Sequence, residues 1–282
     1  MTLFDAHTHI FPPSQAAARA TIAARDAGFA AIYANPAAKM ADVRGLLAAL
    51  DEAGLERALA AGFAFKHQCD VDEQDEYLLA AARQSAGRII PLATVNPALP
   101  GWRPAAEDAL SRGARGFGEL RPADQGWDPG GPVAHALCSL AADAGAVLLW
   151  HVSEPLGHAY AGKQGGISPA ELWAISSAFP TVPMIAAHLG GGLSFYLQMP
   201  EVRVAVPNLY FDTATAPLLY DDESVARLVD LAGHHRVLFG SDYPLLSPRR
   251  QLQLLQARLP ADVALAVCGG NADSLFSDRH DS

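Results

Sequence analysis

The segment Asp5-Ala6-His7-Thr8-His9 sets two imidazoles two residues apart inside an apolar run. In a β-strand, positions i and i+2 point to the same face, so His7 and His9 project together. Side-by-side imidazoles suit a borderline-soft divalent metal. Three further apolar runs end in one ionisable residue followed by a loop: Val147-Leu148-Leu149-Trp150-His151, Met184-Ile185-Ala186-Ala187-His188 and Val237-Leu238-Phe239-Gly240-Ser241-Asp242. A buried imidazole or carboxylate at such a place is costly unless it is paired or bound to metal.

These groups need a scaffold that brings strand ends to one point. Eight short apolar runs occur, at residues 3–11, 57–65, 89–96, 114–120, 146–152, 182–189, 208–214 and 236–243. Most are about 30 residues apart, the length of a βα unit. Helical spacing with the usual punctuation fills the gaps. Residues 42–53, 72–86, 104–112, 132–144 and 222–232 each stop at or beside a glycine, and Ser168-Pro169 and Ser247-Pro248 each open a helix. Eight strands alternating with helices, without a strong linker, predict one α/β domain over residues 1–282, a closed parallel (β/α)8 TIM barrel. In such a barrel the five groups converge on the mouth formed by the C-terminal strand ends, which reads as a metal site.

The spacing resembles the amidohydrolase superfamily: His-x-His after strand 1, His after strands 5 and 6, and Asp after strand 8. Ala187-His188-Leu189-Gly190-Gly191, Phe239-Gly240-Ser241-Asp242-Tyr243-Pro244 and Gly270-Asn271-Ala272-Asp273-Ser274-Leu275-Phe276 resemble its amidohydrolase-2 branch in particular. That branch includes hydrolases, lactonases and nonoxidative decarboxylases. The resemblance implies that His7, His9 and His151 are metal ligands and that Asp242 completes the site. A bound metal lowers the pKa of a water toward neutrality. Asp242 would act as general base and return the proton to the leaving group. His188 would orient the water or polarise a substrate oxygen.

Strand 4 reads Gly116-Phe117-Gly118-Glu119-Leu120-Arg121-Pro122 and carries no lysine, so a carboxylated lysine is ruled out. Glu119 resembles the bridging Glu of the TatD-like branch, and with it His151 and His188 would hold a second metal. It could equally pair with Arg121 or Arg115, or bind substrate. The loop after strand 5 brings Glu154, His158, Tyr160 and Lys163 close to a ligand, and these are assigned to substrate contact. Lys66 and His67, after strand 2, could face the pocket or solvent. Asp5 is expected to support His7 by hydrogen bonding. Asp212 is a strand-end group that could contact another loop. His234 and His235, just before strand 8 at the opposite mouth, read as surface, and His135 in a helix and His280 in the tail have no partner in sequence.

The leading expectation is a metal-dependent hydrolase acting on an amide, ester or lactone of a small polar substrate, with one or two divalent ions, zinc by the nitrogen-rich donors. Nonoxidative decarboxylation at a mononuclear site is the alternative. TatD-like phosphoester cleavage and a metal-binding barrel without turnover rank below both. The formal charge of −10 and only three lysines, Lys39, Lys66 and Lys163, argue against nucleic acid and anionic membranes as partners. Cys69, Cys138 and Cys268 are dispersed and odd in number, which favours reduced thiols. With no secretory leader or 18-residue apolar stretch discernible, a cytoplasmic protein is expected, with a homodimer as the base-rate assembly.

Overall fold

Eight strands follow one another in the chain: β1 (Phe4–His9), β2 (Arg57–Ala61), β3 (Ile89–Pro91), β4 (Gly116–Leu120), β5 (Val147–Trp150), β6 (Met184–Ala186), β7 (Leu209–Asp212) and β8 (Val237–Leu238). They belong to a computed structural model that describes residues 2–277, so His280 lies outside the described residues. Every strand pairs in parallel with its neighbour, in a three-stranded set β1-β2-β3 and a five-stranded set β4 to β8. Single bridges, Ala93 to Phe117 and Thr8 to Tyr243, close the two seams and make the sheet a barrel. All eight strands fall inside the apolar runs read from the sequence.

Alternation along the strands builds two apolar layers. Phe4, Leu59, Ile90, Leu149, Ile185 and Leu238 fill the inner one. The outer one packs strand residues such as Leu148 and Phe117 against helices through Leu46, Leu50, Leu78 and Leu137. The surrounding helices include Val43–Ala53, Gln68–Gln84, Trp102–Ser111, Pro132–Ala144, Pro169–Ala178, Ser224–Ala232 and Pro248–Arg258. Their ends follow local chemistry. Asp42 accepts from the Gly45 amide at 2.8 Å, and Ser168 with Glu171 forms a capping box. The second of these helices begins four residues before the expected start, because buried Val71 anchors its first turn. None of the described helices is long and apolar enough to cross a membrane.

Three features shape the mouth. The segment after β1 folds into helices Pro13–Ala17, Arg19–Arg25 and Ala27–Tyr33, held down by an aromatic cluster of Phe11, Phe29, Tyr33, Phe63 and Phe65. The loop after β5 returns to bridge Val152 with Ile167. Gly166 is required there, because a Cβ would stand 2.5 Å from the His151 ring. Finally, β1 and β4 each carry a register irregularity, between Asp5 and Thr8 and between Phe117 and Leu120. Such irregularities re-aim side chains locally, and here they flank His7 and Glu119.

Candidate metal centre

Two sets of three donors meet on the cavity floor: His7, His9 and Asp242, then Glu119, His151 and His188. In the first, His7 Nε2 lies 3.1 Å from His9 Nε2, and Asp242 Oδ1 lies 3.4 Å from His9 Nε2 and 3.8 Å from His7 Nε2. In the second, Glu119 Oε1 is 2.9 Å from His151 Nδ1 and 3.3 Å from His188 Nε2, and the two imidazole nitrogens are 3.1 Å apart. The Glu119 carboxylate also faces the first set, with Oε1 3.8 Å from His7 Nε2 and Oε2 3.9 Å from His9 Nε2. It therefore stands between the two triads.

The remaining ring nitrogens test whether a cation fits. His7 Nδ1 donates to Asp212 Oδ2 at 2.7 Å. His9 Nδ1 donates to the Gly62 carbonyl at 3.3 Å. Both Nε2 atoms are therefore lone pairs when the rings are neutral, and they face each other at 3.1 Å. The second set repeats the pattern. His151 Nε2 donates to the Gly162 carbonyl at 2.8 Å, which leaves Nδ1 as the lone pair. His188 Nδ1 points at the Ala214 carbonyl, 3.4 Å away, and Thr215 Oγ1, 3.0 Å away, which leaves Nε2. Opposed lone pairs flanked by a carboxylate repel unless a proton or a metal cation lies among them, and converging imidazole and carboxylate donors fit a divalent metal in the proton's place.

The electrostatics agree. Burial pulls the His7 imidazole down, but the charge and hydrogen bond of Asp212 outweigh it and push it up to about 10. Burial, with the Arg121 guanidinium adding to it, holds His151 neutral, down to about 4. Burial raises the Asp242 carboxyl, yet the His9 hydrogen bond and the charges of His7, His9 and His188 overcome it and hold it at about 2. Glu119 is likewise kept well below the usual carboxylate range against its burial, chiefly by His151. Both carboxylates are thus anions, the form a cation needs.

Asp212 has a larger part than the sequence reading gave it. Fully buried at the end of β7, it fixes the His7 ring through Oδ2 and accepts from the His188 and Ala214 amides through Oδ1 at 2.9 and 3.0 Å. Asp5 Oδ1 accepts from the amides of His7 at 3.2 Å and Ser241 at 2.9 Å, stitching β1 to the segment after β8. Asp242 and His188 take left-handed φ values of +57° and +58°.

Above the floor lies a cavity of about 470 Å³. His158 and Tyr160 line it, whereas Glu154 and Lys163 do not. Lys163 Nζ pairs with Glu154 Oε1 at 3.2 Å and donates to the Leu156 and His158 carbonyls at 2.6 and 2.9 Å, so it straps its own loop. Glu154 Oε2 accepts from the Tyr160 hydroxyl at 3.1 Å. Lys66 and His67 are outside the cavity lining too. Tyr33, Arg121 and Thr215 line it without having been singled out from the sequence. Thr215 and Tyr33 follow no strand-end pattern, and from sequence Arg121 reads as a partner for Glu119.

A family model described as Amidohydrolase matches residues 4–277. No match to a curated protein was found. Among solved structures, 5-carboxyvanillate decarboxylase of Sphingomonas paucimobilis is 17% identical, covers 98% of both chains and gives a TM-score of 0.74. The same named enzyme from Novosphingobium aromaticivorans, complexed with manganese and 4-hydroxy-3-methoxy-5-nitrobenzoic acid, is 15% identical. It covers 98% of this chain and 96% of its own, with a TM-score of 0.76. A dihydroxybenzoic acid decarboxylase from Polaromonas sp. JS666, with manganese and 2-nitroresorcinol, is 13% identical, covers 98% and 96%, and gives 0.70. At these identities the likeness is one of fold.

Proposed function

Because the chain belongs to the amidohydrolase family matched over residues 4–277, we propose that it is a metal-dependent hydrolase of an amide, ester or lactone bond in a small substrate. One observation carries this reading: the Glu119 carboxylate stands between two imidazole–carboxylate triads, within 3.9 Å of donors in both. His7, His9 and Asp242 would hold one ion, His151 and His188 the other, and Glu119 would be shared. When bound, the metal polarises a substrate oxygen and lowers the pKa of a water. Asp242, an anion lining the cavity, would be the general base that takes a proton from water and returns it to the leaving group. Asp212 and the carbonyls of Gly62 and Gly162 hold the imidazoles in the tautomers the site needs. The segment after β1 and the loop after β5 wall the site from bulk water.

Nonoxidative decarboxylation of a small aromatic acid is the second reading. The names of the three solved structures favour it, and two of them hold manganese with nitro-substituted phenolic ligands. The same donors would then hold one ion. Zinc suits the nitrogen-rich set, and manganese enters through those structures.

Elemental analysis together with two substrate panels separates the readings. Two ions per chain, turnover of esters or lactones and its loss in Glu119→Gln support hydrolysis. One ion per chain with carbon dioxide released from hydroxybenzoates transfers the assignment to the lyase. Cleavage of simple phosphoesters instead would restore the TatD-like reading, and turnover unchanged in Asp242→Asn would leave a binding barrel.

A further inference from the structure

We propose that Tyr33 and Arg121 form an anion clamp on the cavity wall, which selects a substrate carrying a carboxylate on a flat apolar body. The inference deepens the reading above and relies on it for the cavity floor, although not for anion binding itself.

Arg121 is 3% exposed. Its Nε donates to Asp124 Oδ2 at 2.7 Å, and its Nη2 donates to the carbonyls of Gly162, at 3.1 Å, and Gln164. One edge of the guanidinium is thereby fixed. Nη1 has no partner among the described residues, yet it is not among the sealed, unpaired polar atoms. Arg121 lines the cavity, the open space that such a nitrogen can address. Tyr33 is in the same condition. Its ring is wedged against Phe11 and Phe29, with centroids 5.1 and 5.0 Å away. The residue lines the cavity, and its hydroxyl has no hydrogen-bond partner among the described residues and is not among the sealed polar atoms.

Phe63 packs against both groups. Its ring lies 5.8 Å from the Tyr33 ring and 5.8 Å from the Arg121 guanidinium carbon. An aromatic face under a guanidinium holds it in place without using its donors. The result is a phenol and a guanidinium on the wall of one cavity, donors of the kind a carboxylate's two oxygens accept.

The rest of the cavity fits such a ligand. Among the described residues, the carboxylates lining it are Glu119 and Asp242, at the metal-donor cluster. Lys39 stands exposed at the rim with no ion pair among the described residues, in a chain of net charge −10. Ile32, Leu218, Leu219 and Leu245 supply apolar wall, and about 470 Å³ accommodates a compact ring-bearing acid.

Calorimetric titration with benzoate and with neutral, isosteric benzamide tests the clamp, in manganese-loaded protein and in the same protein stripped with EDTA. Benzoate is expected to bind at least about tenfold more tightly than benzamide in both preparations. Tyr33→Phe, which removes only the hydroxyl, should weaken benzoate about tenfold, a charge-assisted hydrogen bond's worth, and weaken benzamide distinctly less, since its carbonyl accepts only a neutral bond. Arg121→Lys keeps the charge and loses the fork, and should weaken benzoate at least as much. Equal binding of the two probes, or benzoate affinity unchanged in Tyr33→Phe, overturns the proposal. So does a preference that vanishes on stripping, which would assign the carboxylate to the metal. If no metal loads but the stripped protein keeps the preference and loses it in Tyr33→Phe, the clamp stands and the metal reading fails.

Discussion

The floor of the site depends on side chains that touch no substrate. Asp212 orients His7 through a 2.7 Å hydrogen bond and His188 through the backbone. Asp212→Asn keeps the shape but supplies an NH2 that can meet His7 Nδ1 only if the ring turns its lone pair there, which spoils Nε2 as a ligand. Metal affinity should fall about 10- to 100-fold, the usual cost of losing such a partner, and competition against a fluorescent chelator would measure it. An unchanged affinity would show that the His7 tautomer does not matter. The same contact sets a pH dependence. His7 is pushed up to about 10, so the metal-free site carries a proton there at neutral pH, and metal must displace it. His151, down at about 4, has no proton to lose above pH 5. Metal affinity should therefore rise with pH up to about 10, with at least about one proton released per site filled. Titrations in buffers of different ionisation enthalpy count that proton; a count of zero would sink the assignment.

At the scale of elements, what was legible from sequence follows from periodicity. All eight strands and seven of the helices carry apolar repeats and caps, and His7, His9, His151, His188 and Asp242 each sit in or just after an apolar strand, where a lone polar group is conspicuous. Glu119 was harder. Strict alternation would set it on the side of Phe117, which packs in the outer layer; the irregularity between Phe117 and Leu120 frees its carboxylate to reach the cluster. No single-residue pattern announces that. Tyr33 was invisible for another reason: it comes from the helices inserted after β1, whose placement is decided by aromatic packing across 30 residues of sequence. The loop after β5 carries its own prediction. Lys163 ties it through Glu154 and two carbonyls, and that loop's Gly162 carbonyl fixes His151. Lys163→Ala should speed amide exchange across residues 154–166 and raise KM several-fold, because the pair ties down a loop that can open locally without unfolding the barrel. Unaltered exchange in that segment would refute the strap.

For the whole molecule, the centre joins distant parts of the chain. His7 and His9 come from β1 and Asp242 from the segment after β8, so the first triad straddles the seam where the barrel closes. There the backbone is joined by the Thr8–Tyr243 bridge and by the Asp242 amide donating to the His7 carbonyl at 2.9 Å. A ligand that binds only the closed barrel stabilises it by about 2.7 kcal/mol at a hundredfold excess over Kd. In a chain of this size that corresponds to roughly 5 °C or more in Tm. Because β1 and β8 are cross-linked by the same donors, the gain should be shared by all eight strands. Scanning calorimetry is expected to show one transition that moves as a unit when manganese or zinc is added and moves back with EDTA. Two transitions, only one of them shifted by metal, would mean that the three-stranded and five-stranded sets fold as separate units. The seam would then be a contact between domains, and the single-barrel expectation for residues 1–282 would have to be replaced.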